Sequence, residues 1–253
     1  MTANDIITYM ETLRDEKQRS QLMRFFKTGK GDYGEDDEFL GLKVPQTREV
    51  VRQVEGLPLE EVPALLTNRY HEIRLCGLLI LVRKFEQLAT KRLQQDETAI
   101  GRRDEIVRMY LKYASYASNW DLVDLSAPKI IGHWLMLPSH IDGKQDIIDS
   151  LAQSGNLWME RISMVCTLKT SHLGDPSWCL RYAEFHLHHR HDLMHKAVGW
   201  MLREMGKQVD MELLRDFLHR HVHEMPRTTL RYAIEKMSDD ERKYWMSVEG
   251  PLS

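Results

Sequence analysis

The amino-acid sequence predicts an all-α fold, a superhelical solenoid of about six stacked helix pairs in one domain spanning residues 1–253. Three observations predict it. Apolar residues recur at three- and four-residue intervals along almost the whole chain, and no strand alternation persists. Pro45, Pro58, Pro63, Pro128, Pro138, Pro176 and Pro226 sit mostly where such helices should start or stop. Finally, "WMERISMVCTL", "LMHKAVGWML" and "TTLRYAIEKM" superpose when Arg161, Lys196 and Arg231 are aligned, each 35 residues after the last. A helix pair cannot bury its apolar face alone, so repeats of this length stack and the array curves. A cation at the same place in three repeats then puts three positive charges along a concave groove. The competing reading is a core-boundary Lys or Arg with its stem buried and its head in water.

Taken in order, the amino-terminal "MTANDIITYMETLRDEKQ" lacks the basic region and apolar stretch of a secretory signal. The one long loop expected is "KTGKGDYGEDDEFLGLKVP", glycine-rich and acidic. Its "TGKG" is not a P-loop, because Arg24 stands where a glycine is needed and Gly31 where Ser or Thr is needed. Nor is "DYGEDDEFLGL" an EF-hand: glycine takes the third position and the closing Glu is missing. "YHEIRLCGLLILVRKF" is the most apolar helix, yet its core "CGLLILV" falls far short of a membrane span. "RRDEIVRMYLKYA" and "MELLRDFLHRHV" continue the helical pattern. Cys76, Cys166 and Cys179 form no C-x-x-C spacing and read as reduced, mostly buried thiols of a cytosolic protein.

Composition narrows the function class. Hydrophobic content of 42% and charged content of 29% belong to a globular chain. A net charge of −3 argues against a general basic coat for nucleic acid. The charge is unevenly spread, however. Arg161 to Lys236 holds 12 Lys/Arg against 9 Asp/Glu, while the rest of the chain is acidic. Nine of the twelve histidines fall between His172 and His223. His191 and His195 have a metal-compatible spacing, but no HExxH glutamate or cysteine pair accompanies them, so a solvated helix end is expected instead of a metal site.

"NWDLVDLSAPKI", residues 119 to 130, carries the sharpest signal. In a helix Trp120, Val123, Asp124 and Ala127 share one face, where an ordinary amphipathic helix would stay apolar. One reading is capping: Asn119, Asp124 or Ser126 serves as an N-cap and Pro128 opens the next helix. The other is a carboxylate held beside an aromatic face, a pair suited to a developing cation. Trp200 lies one turn beyond Lys196 and shares its face.

"FLGLKVPQTRE", "NWDLVDL", "WMERISMVCTLK", "HKAVGWMLREMGK" and "MPRTTLRYAIEK" together resemble the AlkD-type DNA alkylation repair proteins, all-helical glycosylases with HEAT-like repeats. The match runs from about Arg24 to Lys236, with the motifs in the same order. The resemblance implies that Trp120 and Asp124 are the catalytic tryptophan and aspartate, with Trp200 the second tryptophan facing the lesion. It also implies that Arg161, Lys169 and Arg203 hold the DNA backbone. Phe25 stands where some members have tyrosine; with Lys196 and Arg231 it is a further candidate groove residue. The implied substrate is double-stranded DNA carrying N3- or N7-alkylated purines, handled by a cytoplasmic, nucleoid-associated monomer without metal or organic cofactor. A helical-repeat module that binds damaged or branched DNA, or a protein, without catalysis remains the other class. It gives no reason for Trp120, Asp124 and Trp200 to occur together.

Overall fold

A computed structural model describes residues 1–35, 37–54 and 56–248. Among these it is all-helical, with only an isolated parallel bridge between Glu38 and Tyr70 in place of strands. This is the expected fold class. Contacts gather the helices into two compact units. The first comprises Met1–Ile130 and Leu137–Ile141; the second comprises Ile131–Met136 and the chain from Asp142 onward.

In the first unit the helices are α1 (Ala3–Thr12), α2 (Glu16–Phe25), α3 (Val44–Gln53), α4 (Val62–Leu66), α5 (His71–Leu88), α6 (Glu97–Lys112) and α7 (Trp120–Ser126). Helix α5 is the centre, with α3, α4, α6 and α7 all packed on it. That position accounts for its composition: a helix apolar on every side needs neighbours on every side. Leu75 through Val82 are all buried, and so, less expectedly, are His71, Glu72 and Arg74 at its start. The Glu72 carboxylate accepts backbone N–H groups of Leu40, Gly41 and Leu42 at 2.9, 2.8 and 3.1 Å. A buried anion thus orders the end of the loop between α2 and α3, with charge-assisted hydrogen bonds where water is excluded. Gly41 (φ 97°) lies against the start of α2, where a Cβ would stand 2.2 Å from the Asp15 carbonyl oxygen. Asp36, also part of the expected loop, lies outside the described residues.

The second unit contains α8 (His133–Leu135), α9 (Lys144–Ala152), α10 (Leu157–Val165), α11 (Thr167–His172), α12 (Ser177–Phe185), α13 (Asp192–Gln208), α14 (Met211–His221), α15 (Arg227–Ala233) and α16 (Asp239–Ser247). Helices α10, α13 and α15 pack in succession, with α9 on α10, α12 and α14 on α13, and α16 on α15. Arg161, Lys196 and Arg231 fall on α10, α13 and α15, so the 35-residue echo marks successive helices of one layer. Gly199 lets two of them touch. A Cβ there would lie 2.4 Å from the Thr229 carbonyl oxygen and 2.5 Å from Tyr232 Cβ.

Local chemistry sets the helix ends. Asp15, Asp96, Asn156, Asp210 and Ser238 cap α2, α6, α10, α14 and α16 with side-chain oxygens. Pro45 and Pro63 sit in the first turns of α3 and α4, and Pro176 and Pro226 directly precede α12 and α15. All three cysteines are buried, which pushes the thiols of Cys76 and Cys179 up to about 12 and leaves them unreactive. No helix of the described residues is long and apolar enough to cross a membrane.

Candidate functional site

The opening residues of α7 bear out the capping reading of "NWDLVDLSAPKI" at Asn119. Asn119 is the N-cap, its Oδ1 accepting the Trp120 N–H at 2.8 Å. Asp124 is the fifth residue of the helix, inside it rather than at its N-cap. Ser126, buried, donates to the Leu122 carbonyl at 2.6 Å and shares a 2.9 Å hydrogen bond with the Tyr110 hydroxyl. Pro128 opens the next helical stretch, as expected: after the C-cap Ala127 a π-helix, Pro128–Gly132, leads into α8. Trp120 and Asp124 therefore stand one turn apart on one helix, each half-buried.

Trp120 rests in an aromatic cluster. Phe26 lies 5.4 Å from it between ring centroids, and Phe25 meets it edge-on at 5.8 Å. Phe25 itself is 62% exposed, so an apolar edge faces solvent where the resemblance raises the question of a hydroxyl. Of the residues expected at the site, the first unit brings together Phe25, Trp120 and Asp124.

The second unit carries the others, and the three aligned cations differ sharply there. Arg161 is 4% exposed and donates from Nη1 to the Leu193 carbonyl at 2.6 Å. Neither the groove reading nor the snorkelling reading fits it, since its charged head is spent on backbone at the start of α13. Lys196 is half-buried and pairs with Asp192 at 2.7 Å. Arg231 is exposed and, with Arg242, Lys243, Ile234, Asp239 and Met246, lines a cleft of about 420 Å³. Trp200 is half-buried on α13 beside Gly199. Lys169 is half-buried on α11. Arg203 forms ion pairs with Glu204 at 3.0 Å and with Glu235, just beyond α15.

His219 and His223, at and just beyond the end of α14, are exposed as expected, whereas the histidines that precede and open α13 differ from expectation. His191 caps α13, its Nδ1 accepting the Leu193 N–H at 3.1 Å. His189 accepts the His191 N–H at 3.0 Å through Nδ1 and meets Glu160 at 2.9 Å through Nε2, while His195 hydrogen-bonds the His189 carbonyl. His186 is buried against Ser163 Oγ at 2.8 Å, and burial pushes its imidazole down to about 4. These rings brace a half-buried turn rather than a solvated helix end, because their nitrogens satisfy backbone groups that the turn leaves open.

Residues 6–237 match the family model of the DNA alkylation repair enzymes. The chain belongs to this family. A solved structure described as a predicted DNA alkylation repair enzyme from Enterococcus faecalis superposes with a TM-score of 0.66 at 14% identity, over 89% of this chain and 97% of that one. At that identity the likeness concerns the fold. No curated protein sequence matches significantly.

In this DNA alkylation repair enzyme, sequence reasoning missed one group of residues beside Trp120. His71 is buried with Nε2 3.0 Å from Asp121 Oδ2 and Nδ1 3.5 Å from Asp37 Oδ2. Arg74 forms a short ion pair with Asp37, and Asn119 Nδ2 donates to the other Asp37 oxygen at 2.7 Å. Burial would lower the His71 pKa, but the Asp121 charge and hydrogen bond, reinforced by Asp37, raise it to about 9. Burial likewise would raise the Asp37 carboxyl, yet the His71 hydrogen bond and the Arg74 charge hold it below the usual carboxylate range. The available signal was polar: His71, Glu72 and Arg74 interrupt the start of the most apolar helix in the sequence.

Proposed function

We propose that this DNA alkylation repair enzyme is a DNA N-glycosylase that excises cationic N3- or N7-alkylated purines from duplex DNA. The observation that carries the reading is the placement of Trp120 and Asp124 one turn apart on α7, half-buried, with Asp124 excluded as a cap. Alkylation at N3 or N7 leaves the purine positively charged, so the base departs neutral with the electron pair of the C1′–N bond. Little general-acid help is required. The sugar becomes oxocarbenium-like, and a carboxylate and aromatic faces suit that charge. In this reading Asp124 stabilises the cation and receives the proton of the water that adds to C1′. Trp120 and Trp200 pack against the sugar. The exposed edge of Phe25 extends the apolar surface beside Trp120.

The reading takes the chain as one α-solenoid domain, acting as a monomer. Lys169 and Arg203 are the proposed backbone contacts, Arg203 by exchanging a surface carboxylate for a phosphate. For Arg161 the role is narrower, since a buried guanidinium acts on the backbone through the start of α13 more than by direct contact. Lys196 and Arg231 add positive potential. The chemistry requires neither a metal nor an organic cofactor.

Base release from a duplex carrying N7-methylguanine tests this directly. Free 7-methylguanine accumulating with enzyme, and none from undamaged duplex, is the expected result. Tight duplex binding without release would favour the non-catalytic DNA-binding module, for which the basic cleft at Arg231, Arg242 and Lys243 is the supporting observation.

A further inference from the structure

The buried ion network has a function that its stability alone does not explain. Its two carboxylates involve the residues on either side of Trp120: Asp121 itself, and Asp37 through Asn119. Asp121 follows Trp120 directly and is tied to His71 Nε2 at 3.0 Å. Asp37 holds the side chain of Asn119, the residue before Trp120, at 2.7 Å, and that same side chain caps the Trp120 N–H at 2.8 Å. The imidazole also belongs to the aromatic stack: Phe39 covers it at 4.7 Å, and Phe26 lies 4.9 Å from it and 5.4 Å from Trp120. Polar and apolar contacts thus converge on one ring.

We propose that His71 is a positioning residue for the excision site: its imidazolium, clamped between Asp37 and Asp121, locks the start of α7 and so fixes the Trp120 ring and the register of Asp124. The proposal rests on the glycosylase reading and deepens it. The argument is one of donors. An imidazolium has two N–H groups: Nε2–H donates to Asp121 at 3.0 Å, while Nδ1–H faces Asp37 at 3.5 Å, an ion-pair distance without hydrogen-bond geometry; a neutral imidazole has one N–H and turns a lone pair on the other acid. Charge agrees. The groups facing His71 are Asp37 from the loop and Asp121 from α7, with Arg74 of its own helix reaching Asp37. With His71 protonated, two acids meet two cations; without the proton, one buried negative charge is left over, and burial makes that costly.

Two measurements test this on the full chain. The first follows the His71 ring and the Trp120 indole N–H by NMR between about pH 7 and pH 10. The Trp120 resonance should move with the same midpoint as the His71 titration, close to the value of about 9. In Asp121→Asn the new amide can donate to Nε2 of a neutral ring while Nδ1–H serves Asp37. The titration should therefore shift downward and the Trp120 resonance should stay still across that range. An indole signal indifferent to His71, or a midpoint near 6.5, overturns the proposal.

The second measurement is base release at neutral pH. His71→Gln should lose about 10- to 100-fold in turnover with DNA affinity within about twofold, the pattern of a misplaced catalytic group. Asp121→Asn should retain most of its turnover, rescuing the geometry without the charge. Wild-type turnover by a folded His71→Gln variant overturns the proposal. If the wild type releases no base at all, the glycosylase reading fails, and the NMR arm still decides whether His71 positions Trp120.

Discussion

The two units hold their charges in opposite ways. Around Trp120, Asp37, His71, Arg74 and Asp121 are locked together with side chains no more than 8% exposed. Around Trp200, Lys196 pairs with Asp192 one turn earlier, Arg203 pairs with its neighbour Glu204 and with Glu235, and Arg231 is open to solvent. A buried pair is expensive to break because the survivor stays desolvated. A surface pair contributes at most about 1 kcal/mol and exchanges partners readily. The difference suggests a division of labour. Rigid charges orient a helix, while exchangeable ones can leave a carboxylate for a phosphate. Arg161 is the exception within the second unit, a repeat-aligned cation built like the first unit's network.

Substitution within the buried network should have the largest effect. Arg74→Met removes the ion-pair partner of Asp37 and the donor to the Asn68 and Arg69 carbonyls, at 2.9 and 2.8 Å. Unfolding in urea should show a loss of about 3–5 kcal/mol. A loss below about 1 kcal/mol would place the pair with the surface bridges and erase the contrast.

Solution pH probes the same network. The folded His71 pKa of about 9 lies above its ordinary 6.5, so its stabilisation is complete below 6.5 and is lost as pH rises through about 9. That gap corresponds to roughly 3 kcal/mol. Asp37 has the opposite sign: its depressed pKa stabilises above 3.8 and is lost as pH falls further. Urea midpoints should therefore peak between these limits and decline toward pH 9. A flat profile on the alkaline side would mean that His71 is not held as an imidazolium.

Much of this was legible in the sequence because it is local. Helical periodicity, the cap at Asn119, and the 35-residue echo each depend on residues close in sequence or on a strict repeat. The pairing of Trp120 with Asp124 needs only the helical pitch. What was not legible depends on long-range meetings. Asp37 is 34 residues from His71, and His71 is 50 from Asp121, so no window contains the network. Burial also escaped: Arg161, Lys196 and Arg231 are equivalent by repeat, yet one is enclosed, one half-buried and one exposed. Repetition sets which helix a residue rides on, whereas the neighbours decide what its charge meets.

Asp124→Asn separates chemistry from that framework. Asp124 is not a cap, so the amide should leave the melting temperature nearly unchanged while base release falls by about two orders of magnitude or more. Duplex affinity should persist. An Asn variant that still releases base at the wild-type rate would remove Asp124 from the mechanism and leave Trp120 and its aromatic bed without an anion.

The smallest effect tests the repeat itself, by truncating its first and last cations. Arg231→Ala removes an exposed charge from the α15 and α16 cleft. Stability should stay within about 0.5 kcal/mol, and the slope of duplex affinity against salt should fall by roughly one charge. Arg161→Ala should behave in reverse. It strips the half-buried Leu193 carbonyl of a donor, which costs about 1 kcal/mol in unfolding, and the salt slope should change less than for Arg231. If both variants instead lose equal salt dependence and neither loses stability, Arg161 reaches phosphate directly. The aligned cations would then act as one row, and the contrast between enclosed and exchangeable charge would stop at the first unit.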